Sequence, residues 1–217
     1  MKPVYYCGWR FFRTAYKIYC RAEWFNAERV PTHGPVIMAA NHASFFDPPL
    51  VGAGIKRDIN YLARDTLFRY PGIGWLLRSW NSVPVDREGG GAAGLKAILD
   101  RLLAGGGIIL FPEGTRTKNG RLQPARSGIG LTVIKSDALV VPVRVFGTFE
   151  AFGRHRSLPL PYRVSVKYGR PMAFELLRFE AKSCSKVRLK QIYQNVADEI
   201  MEAISKLEPH RDTESFG

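Results

Sequence analysis

The chain has 217 residues, of which 46% are hydrophobic, so it is long enough for one domain with a substantial core. Lys and Arg outnumber Asp and Glu by 32 to 19, and the formal charge of +13 favours an anionic partner: nucleic acid, an anionic lipid surface, or an acidic carrier or substrate. The cysteines, Cys7, Cys20 and Cys184, are an odd number without C-x-x-C spacing. This argues against a disulfide framework or a zinc site and indicates a reducing compartment.

The first predicted element is a helix over residues 4–25, in which aromatic and basic residues form two neighbouring stripes. The aromatic stripe consists of Tyr5, Trp9, Phe12, Tyr16 and Tyr19, and the basic stripe of Arg10, Arg13, Lys17 and Arg21. Two interpretations stay open. The helix lies in a membrane interface, with rings at headgroup depth and cations on lipid phosphates, or its rings pack on the protein's own core.

No membrane-spanning or secretory segment is expected. The sequence has no run of about 18 or more uncharged apolar residues, which a transmembrane helix requires. Basic residues interrupt each apolar stretch near the amino terminus, so a signal-peptide pattern is lacking.

Strands and helices alternate after Pro31. The predicted strands are 36–40, 59–63, 82–85, 107–111, 139–145 and, as a half-exposed edge strand, 162–168; the predicted helices are 48–54, 72–79, 91–104 and 186–207. This order predicts an α/β fold: one domain with a mostly parallel central sheet flanked by helices, preceded by an amphipathic amino-terminal helix. We expect a membrane-interface helix in residues 1–30, the main domain in 31–207 and a flexible tail in 208–217.

A histidine follows the first buried strand, where α/β folds place ligand sites. His42 can take a proton near neutral pH if a partner fixes its tautomer, and Asp47, five residues later, can accept a hydrogen bond from its far ring nitrogen. The same spacing also suits a plain helix start with Asp47 as the N-cap before Pro48 and Pro49. The spacing alone does not decide between them.

Residues 111–116, Phe-Pro-Glu-Gly-Thr-Arg, follow the fourth predicted strand. Gly114 permits a tight turn, Thr115 adds a hydroxyl, and Arg116 offers a planar fork for phosphate oxygens. A carboxylate such as Glu113 repels phosphate but suits a glycerol hydroxyl. Alone, this segment also fits a polar surface turn.

Together the two segments resemble the glycerolipid acyltransferase family, the lysophosphatidic acid acyltransferase (PlsC-like) group. His42 and Asp47 match its His-x4-Asp block, and residues 111–116 match its Phe-Pro-Glu-Gly-Thr-Arg block. Weaker counterparts are Val83-Pro84-Val85-Asp86-Arg87, Arg126-Ser127-Gly128 and Val140-Val141-Pro142-Val143. The first of these lacks the Gly and Phe that are usual in the family. The resemblance covers about residues 35–168.

The resemblance implies a mechanism and a site. His42 acts as the general base on an acceptor hydroxyl, Asp47 holds its imidazole, and backbone amides near Gly114 bind the oxyanion. Arg87 and Arg116 bind the acceptor's phosphate and Glu113 its glycerol portion. The expected substrate-binding residues are Arg87, Glu113, Gly114, Thr115, Arg116 and Arg126.

The implied reaction moves a fatty acyl group onto a lysophospholipid, most often 1-acylglycerol 3-phosphate, to give phosphatidic acid. Acyl-CoA or acyl-acyl-carrier protein (acyl-ACP) is the co-substrate, without a metal or redox cofactor, and the enzyme is peripheral or monotopic on the cytoplasmic face of a membrane. One alternative is another lyso-lipid acceptor. A non-catalytic membrane-surface binding protein is the second, although it leaves the spacing of His42 and Asp47 unexplained. Nucleic-acid binding ranks last, and no nucleic-acid partner is expected.

Overall fold

The structure, a computed structural model, describes residues 2–85 and 92–212, and within them seven strands form one sheet. The strands are β1 (Glu23–Phe25), β2 (Val36–Ala40), β3 (Ile59–Arg64), β4 (Ser82–Val85), β5 (Gly107–Leu110), β6 (Leu139–Phe146) and β7 (Ser165–Tyr168). The α-helices are α1 (Pro3–Tyr19), α2 (Asp47–Ala53), α3 (Pro71–Ser79), α4 (Ala92–Leu103), α5 (Ser127–Ile134), α6 (Thr148–Phe152), α7 (Glu175–Glu180) and α8 (Lys186–Ser205).

The strand order is β1-β7-β6-β2-β5-β3-β4, and every neighbouring pair is parallel except β6 and β7. The predicted α/β class, with a mostly parallel sheet flanked by helices, is confirmed. Consecutive side chains of a strand point to opposite faces. On the central strand β2, Val36, Met38 and Ala40 therefore pack with α1 and α2, whereas Ile37 and Ala39 pack with α4, α5 and α8.

Helix α1 ends earlier than predicted, and its aromatic stripe faces the protein. Tyr5 and Tyr16 are buried and Phe12 packs on the core, so the second interpretation of that stripe is the correct one. The residues on the outer side of α1 form a different apolar stripe, spaced seven apart. This outer stripe consists of Val4, Phe11 and Ile18, which are 39%, 64% and 76% exposed. No helix in the described part of the chain combines the length and apolarity needed to cross a bilayer.

The prediction that residues 162–168 form a half-exposed edge strand is wrong. All four residues of β7 are buried, because β7 pairs with β6 on one side and with β1 on the other. The chain turns at Arg21, in the left-handed region with φ of 49°, and places β1 at the edge of the sheet. Strand β1 thus falls inside the segment 1–30 that was predicted as an interface helix, yet it belongs to the main sheet.

Three helices between β5 and α8 were not predicted, of which α5 packs most closely. Gly130 lies against α8, and a Cβ atom there would overlap the carbonyl of Tyr193. A short helix that contains two glycines has weak local propensity, so this helix depends on its packing. Its contact with α8 completes the layer on that face of the sheet.

The carboxyl-terminal segment returns to the sheet beside β1 and β7. Asp212 pairs with Arg29 at 2.5 Å and with the buried Lys167 at 2.6 Å, and Lys167 also donates to the carbonyl of His210. The first part of the predicted tail is therefore in contact with the domain. Residues 213–217 lie outside the described residues.

Candidate active site

The carboxyl ends of β2 and β5 bring the two sequence segments together. The strands are parallel neighbours with Ala39 opposite Leu110, so the chain leaves both at the same edge of the sheet. Just beyond this edge, the imidazole of His42 stacks on the ring of Phe111, with 3.9 Å between centroids and 17° between planes. The second segment thus supplies the surface on which the histidine rests.

Asp47 determines which nitrogen of His42 is free. Its Oδ2 lies 2.8 Å from His42 Nδ1 and also accepts the backbone N–H groups of Ala43 and Ser44 at 2.6 and 2.7 Å. Asp47 is fully buried, whereas 14% of the His42 side chain is exposed. An ionised carboxylate only accepts hydrogen bonds, so Nδ1 carries the hydrogen and Nε2 keeps the lone pair that a base requires.

The start of α2 explains why Asp47 is available for His42. A helix-start Asp commonly accepts N–H groups of the first turn, but Pro48 and Pro49 have none and the Leu50 N–H donates to the Phe46 carbonyl at 3.0 Å. The carboxylate therefore turns back to the loop that contains His42. The simple N-cap interpretation is wrong.

Two further side chains hold this loop in place. The amide of Asn41 donates to the carbonyl of Val145 at 3.3 Å and accepts its N–H at 2.8 Å, which ties the loop to β6. The hydroxyl of Ser44 donates to the Phe152 carbonyl at 2.7 Å and accepts the Phe46 N–H at 3.0 Å. Neither residue was predicted, because bonds to backbone about a hundred residues away leave no spacing pattern.

The second segment makes a tight turn at Gly114, whose φ is 70°. The Gly114 N–H donates to the Phe111 carbonyl at 3.0 Å, so this amide is used within the turn. A Cβ atom at Gly114 would lie 2.9 Å from Cδ of Arg126, and the Arg126 N–H donates to the Pro112 carbonyl. Glycine is needed here both for the backbone conformation and for the approach of Arg126.

Arg116 lies on the same loop surface as His42. Its guanidinium carbon is 3.4 Å from the ring centroid of Phe45, which is 59% exposed. The neighbouring Thr117 N–H donates to the His42 carbonyl at 2.8 Å, and Arg154 donates to the Arg116 carbonyl at 3.3 Å. The guanidinium of Arg116 is thus held against Phe45, on the loop whose next residue contacts the His42 backbone.

Glu113 lies beneath this surface and is only 3% exposed. Its Oε1 accepts the backbone N–H of His42 at 3.1 Å, and its Oε2 accepts Nε2 of Gln123 at 2.9 Å. Burial raises the pKa of the Glu113 carboxyl, and the hydrogen bonds from His42 and Gln123 counteract this rise. Both of its oxygens thus face donors of the protein itself.

Most predicted site residues meet in one loop cluster, residues 41–47 and 111–117, which we call the catalytic loops after the role that the sequence predicts for them. The residues brought together are His42, Asp47, Glu113, Gly114, Thr115, Arg116 and Arg126. Arg87 lies outside the described residues. In the part of the chain that the structure describes, no three His, Cys, Asp or Glu side chains are grouped as metal ligands would be.

Known proteins are similar to this chain in sequence. A family model described as Acyltransferase matches residues 21–146, a range that holds both catalytic loops. A chloroplastic 1-acyl-sn-glycerol-3-phosphate acyltransferase of Brassica napus is 32% identical over 116 residues, covering 52% of this chain and 33% of that protein. The 1-acyl-sn-glycerol-3-phosphate acyltransferase of Bacillus subtilis is 34% identical over 94 residues, covering 43% of this chain and 47% of that protein.

The fold has a solved counterpart in the 1-acyl-sn-glycerophosphate acyltransferase PlsC of Thermotoga maritima. The TM-score is 0.72 at 23% identity, with 95% of this chain and 81% of that chain covered. The matches to the two sequence relatives span a third to a half of their lengths, 33% and 47%. Because the family model covers more than half of the residues, including both catalytic loops, the chain belongs to the acyltransferase family.

Proposed function

We propose that this chain moves a fatty acyl group from an acyl thioester to the free hydroxyl of a lysophospholipid, with 1-acylglycerol 3-phosphate as the first-choice acceptor. The observation that carries the proposal is the bond between His42 Nδ1 and Asp47 Oδ2, at 2.8 Å, in a loop whose Phe45 ring stacks on the guanidinium of Arg116. A base and a cation on one surface match an acceptor that carries a hydroxyl and a phosphate.

In the proposed reaction, Nε2 of His42 takes the proton of the acceptor hydroxyl while the oxygen attacks the thioester carbonyl. The tetrahedral intermediate then collapses to an ester, and the leaving thiolate takes the proton back from His42. No acyl group is bound to the protein at any stage, and no metal or redox cofactor is required. Asp47 stabilises the imidazolium that forms between the two proton transfers.

The proposal also assigns binding residues to the acceptor's phosphate and accounts for the anionic acyl donor. Arg116 and Arg87 bind the acceptor's phosphate in this proposal, because guanidinium groups match phosphate oxygens in pairs, and Thr115 and Arg126 are the further proposed contacts to the acceptor. The donor is acyl-CoA or acyl-ACP, and both are anionic molecules that suit a chain with a formal charge of +13.

The outer stripe of α1 is the proposed contact with the membrane, at its cytoplasmic face and without a spanning segment. Phe11 and Ile18 are exposed along it, and the basic residues Arg10 and Lys17 are exposed next to it. The hydroxyl of Tyr19 donates to the carbonyl of Pro159 at 2.9 Å, which joins a loop with the exposed residue Leu158 to the same surface. A membrane surface would deliver the lipid acceptor to the catalytic loops.

The proposal is tested by offering both thioester donors and several lyso-lipids to the purified chain on vesicles and identifying the products by mass. We expect acceptor-dependent release of thiol and, with 1-acylglycerol 3-phosphate, phosphatidic acid. His42→Ala should lower kcat by about 10²- to 10⁴-fold, because it removes the general base. His33→Ala, at an exposed histidine, is the matched control and should retain activity.

Each result has a clear meaning. A wild-type chain that releases no thiol with any acceptor refutes the proposed function. A chain that acylates only acceptors without a phosphate refutes the assignment of the acceptor, and an active, folded His42→Ala variant refutes the role of the base.

A further inference from the structure

We propose that Gln123 and Glu113 are positioning residues for His42: Gln123 holds the carboxylate of Glu113, and that carboxylate holds the backbone of His42. The inference rests on the proposed function, because the position of His42 affects turnover only if His42 is the base. It assigns Glu113 to the protein's own catalytic loop and not to the glycerol portion of the acceptor.

The backbone of His42 is bound on both sides by the second catalytic loop. Its N–H donates to Glu113 Oε1 at 3.1 Å, and its carbonyl accepts the N–H of Thr117 at 2.8 Å. Together with the stack on Phe111, these bonds locate the imidazole relative to the strand end. Asp47 determines the tautomer, whereas Glu113 and Thr117 determine where the ring lies.

Gln123 supplies the donor that keeps Glu113 in this arrangement. Its Nε2 lies 2.9 Å from Glu113 Oε2 and 3.4 Å from the Thr115 carbonyl, so one amide group joins two points of the loop. A carboxylate that is only 3% exposed needs such donors to stay ionised and oriented. Without Gln123, the carboxylate is more easily protonated and its bond to His42 weakens.

A positioning role and a direct contact with the substrate affect kcat and KM differently. If Glu113 bound the acceptor, loss of its partner Gln123 would raise the KM for the acceptor. If Glu113 and Gln123 position His42, the same loss lowers kcat and leaves that KM nearly unchanged, since the interaction serves the base and not the substrate.

Gln123→Met is the decisive variant, because methionine has a similar length but no hydrogen-bond donor. In the full chain on vesicles, we expect kcat to fall about tenfold, as for the loss of one hydrogen bond to a charged group, with the acceptor KM within about twofold. Gln191→Met is the matched control, because that side chain is exposed on α8 and kcat should not change.

An exchange of the two side chains tests the pair directly. In Glu113→Gln, the Gln123 amide must turn over to accept from the new amide, which gives up its bond to the Thr115 carbonyl, and the negative charge is lost, so we expect kcat to fall. In the double variant Glu113→Gln/Gln123→Glu, donor and acceptor are exchanged and a charge-assisted bond returns. We expect the double variant to recover most of the kcat that Glu113→Gln loses. Thermal unfolding of each variant identifies any loss that is due to misfolding.

Two results would overturn the inference while the wild type remains active. One is a Gln123→Met variant that keeps the wild-type kcat, whether its acceptor KM is unchanged or raised. The other is a double variant that is no more active than Glu113→Gln, since a carboxylate required at position 113 itself cannot be replaced from position 123. A wild type without transferase activity refutes the proposed function instead.

Discussion

The carboxylate of Asp47 is fully buried, and the three groups that donate hydrogen bonds to it all contact Oδ2. An isolated buried charge costs several kcal/mol, so these bonds from His42, Ala43 and Ser44 are what permit it. Oδ1 is buried and makes no hydrogen bond within the described residues. An asparagine can keep its oxygen at the Oδ2 position and accept the same donors, but it lacks the negative charge and its NH2 group replaces the buried Oδ1, at some cost in stability.

We predict that Asp47→Asn folds but turns over slowly. The neutral amide no longer stabilises the imidazolium formed during proton transfer, so kcat should fall at least about 10²-fold with a nearly unchanged acceptor KM. Steady-state kinetics measure this, with Asp100→Asn, at an exposed carboxylate on α4, as the control. A variant with wild-type kcat would show that the charge of Asp47 has no catalytic role.

Helix α1 has two apolar faces, of which one packs on the protein and the other is exposed. On the inner face, Tyr16 stacks edge-to-face on Phe46 with 5.3 Å between centroids, next to Asp47 in the chain. Arg13, a member of the predicted basic stripe, donates to the Ala53 carbonyl at 2.7 Å and lies over the ring of Trp24. These contacts attach α1 to α2 and leave the outer stripe exposed.

We predict that the double variant Phe11→Ser/Ile18→Ser binds vesicles of anionic phospholipid at least about tenfold more weakly than the wild type, because each lost apolar side chain contributes about 1–3 kcal/mol when buried. Co-sedimentation with vesicles measures the change. Leu176→Ser/Phe179→Ser is the control, since those residues of α7 are 87% and 75% exposed but lie outside the proposed membrane surface. Equal binding by both double variants would refute the role of the outer stripe.

Across the whole molecule, the amino- and carboxyl-terminal segments are joined at the β1–β7 side of the sheet. Asp212 accepts hydrogen bonds from Lys167 and Arg29, and these bonds lower the pKa of its carboxyl below the usual range. Lys167 is almost fully buried and also donates to Asn26 Oδ1 at 2.8 Å. The segment after α8 thus neutralises Lys167, a buried residue of β7 that lies opposite Phe25 of β1.

We predict that Asp212→Asn lowers Tm by about 2–4 °C near neutral pH, corresponding to about 1 kcal/mol for a partly exposed ion pair. Because folding lowers the pKa of Asp212, its stabilisation is complete above the unfolded pKa and is lost as the pH falls through the folded pKa. The gap in Tm between the variant and the wild type should therefore narrow as the pH falls from about 7 to about 3. Thermal unfolding across this range checks it, with Asp198→Asn on the exposed side of α8 as the control; a constant gap would contradict the ion-pair explanation.

Local patterns in the sequence determined the central strands and the pairing of His42 with Asp47. β2 and β4 have the predicted bounds, because short apolar runs between turn residues are characteristic of buried strands. His42 and Asp47 meet as expected, because five residues of loop and helix start can close back on themselves. Such features depend on neighbours in the chain, which a sequence displays.

Only the tertiary structure decided which partner covers each face. The stripe of Tyr5 and Tyr16 and the outer stripe of Phe11 and Ile18 are both apolar, and periodicity cannot say which of them meets the sheet. Strand β1 has three residues and pairs through backbone groups, which leave no side-chain pattern. The bond from Gln123 to Glu113 likewise depends on a loop returning across the strand ends, and a contact between distant loops is set by packing and not by spacing.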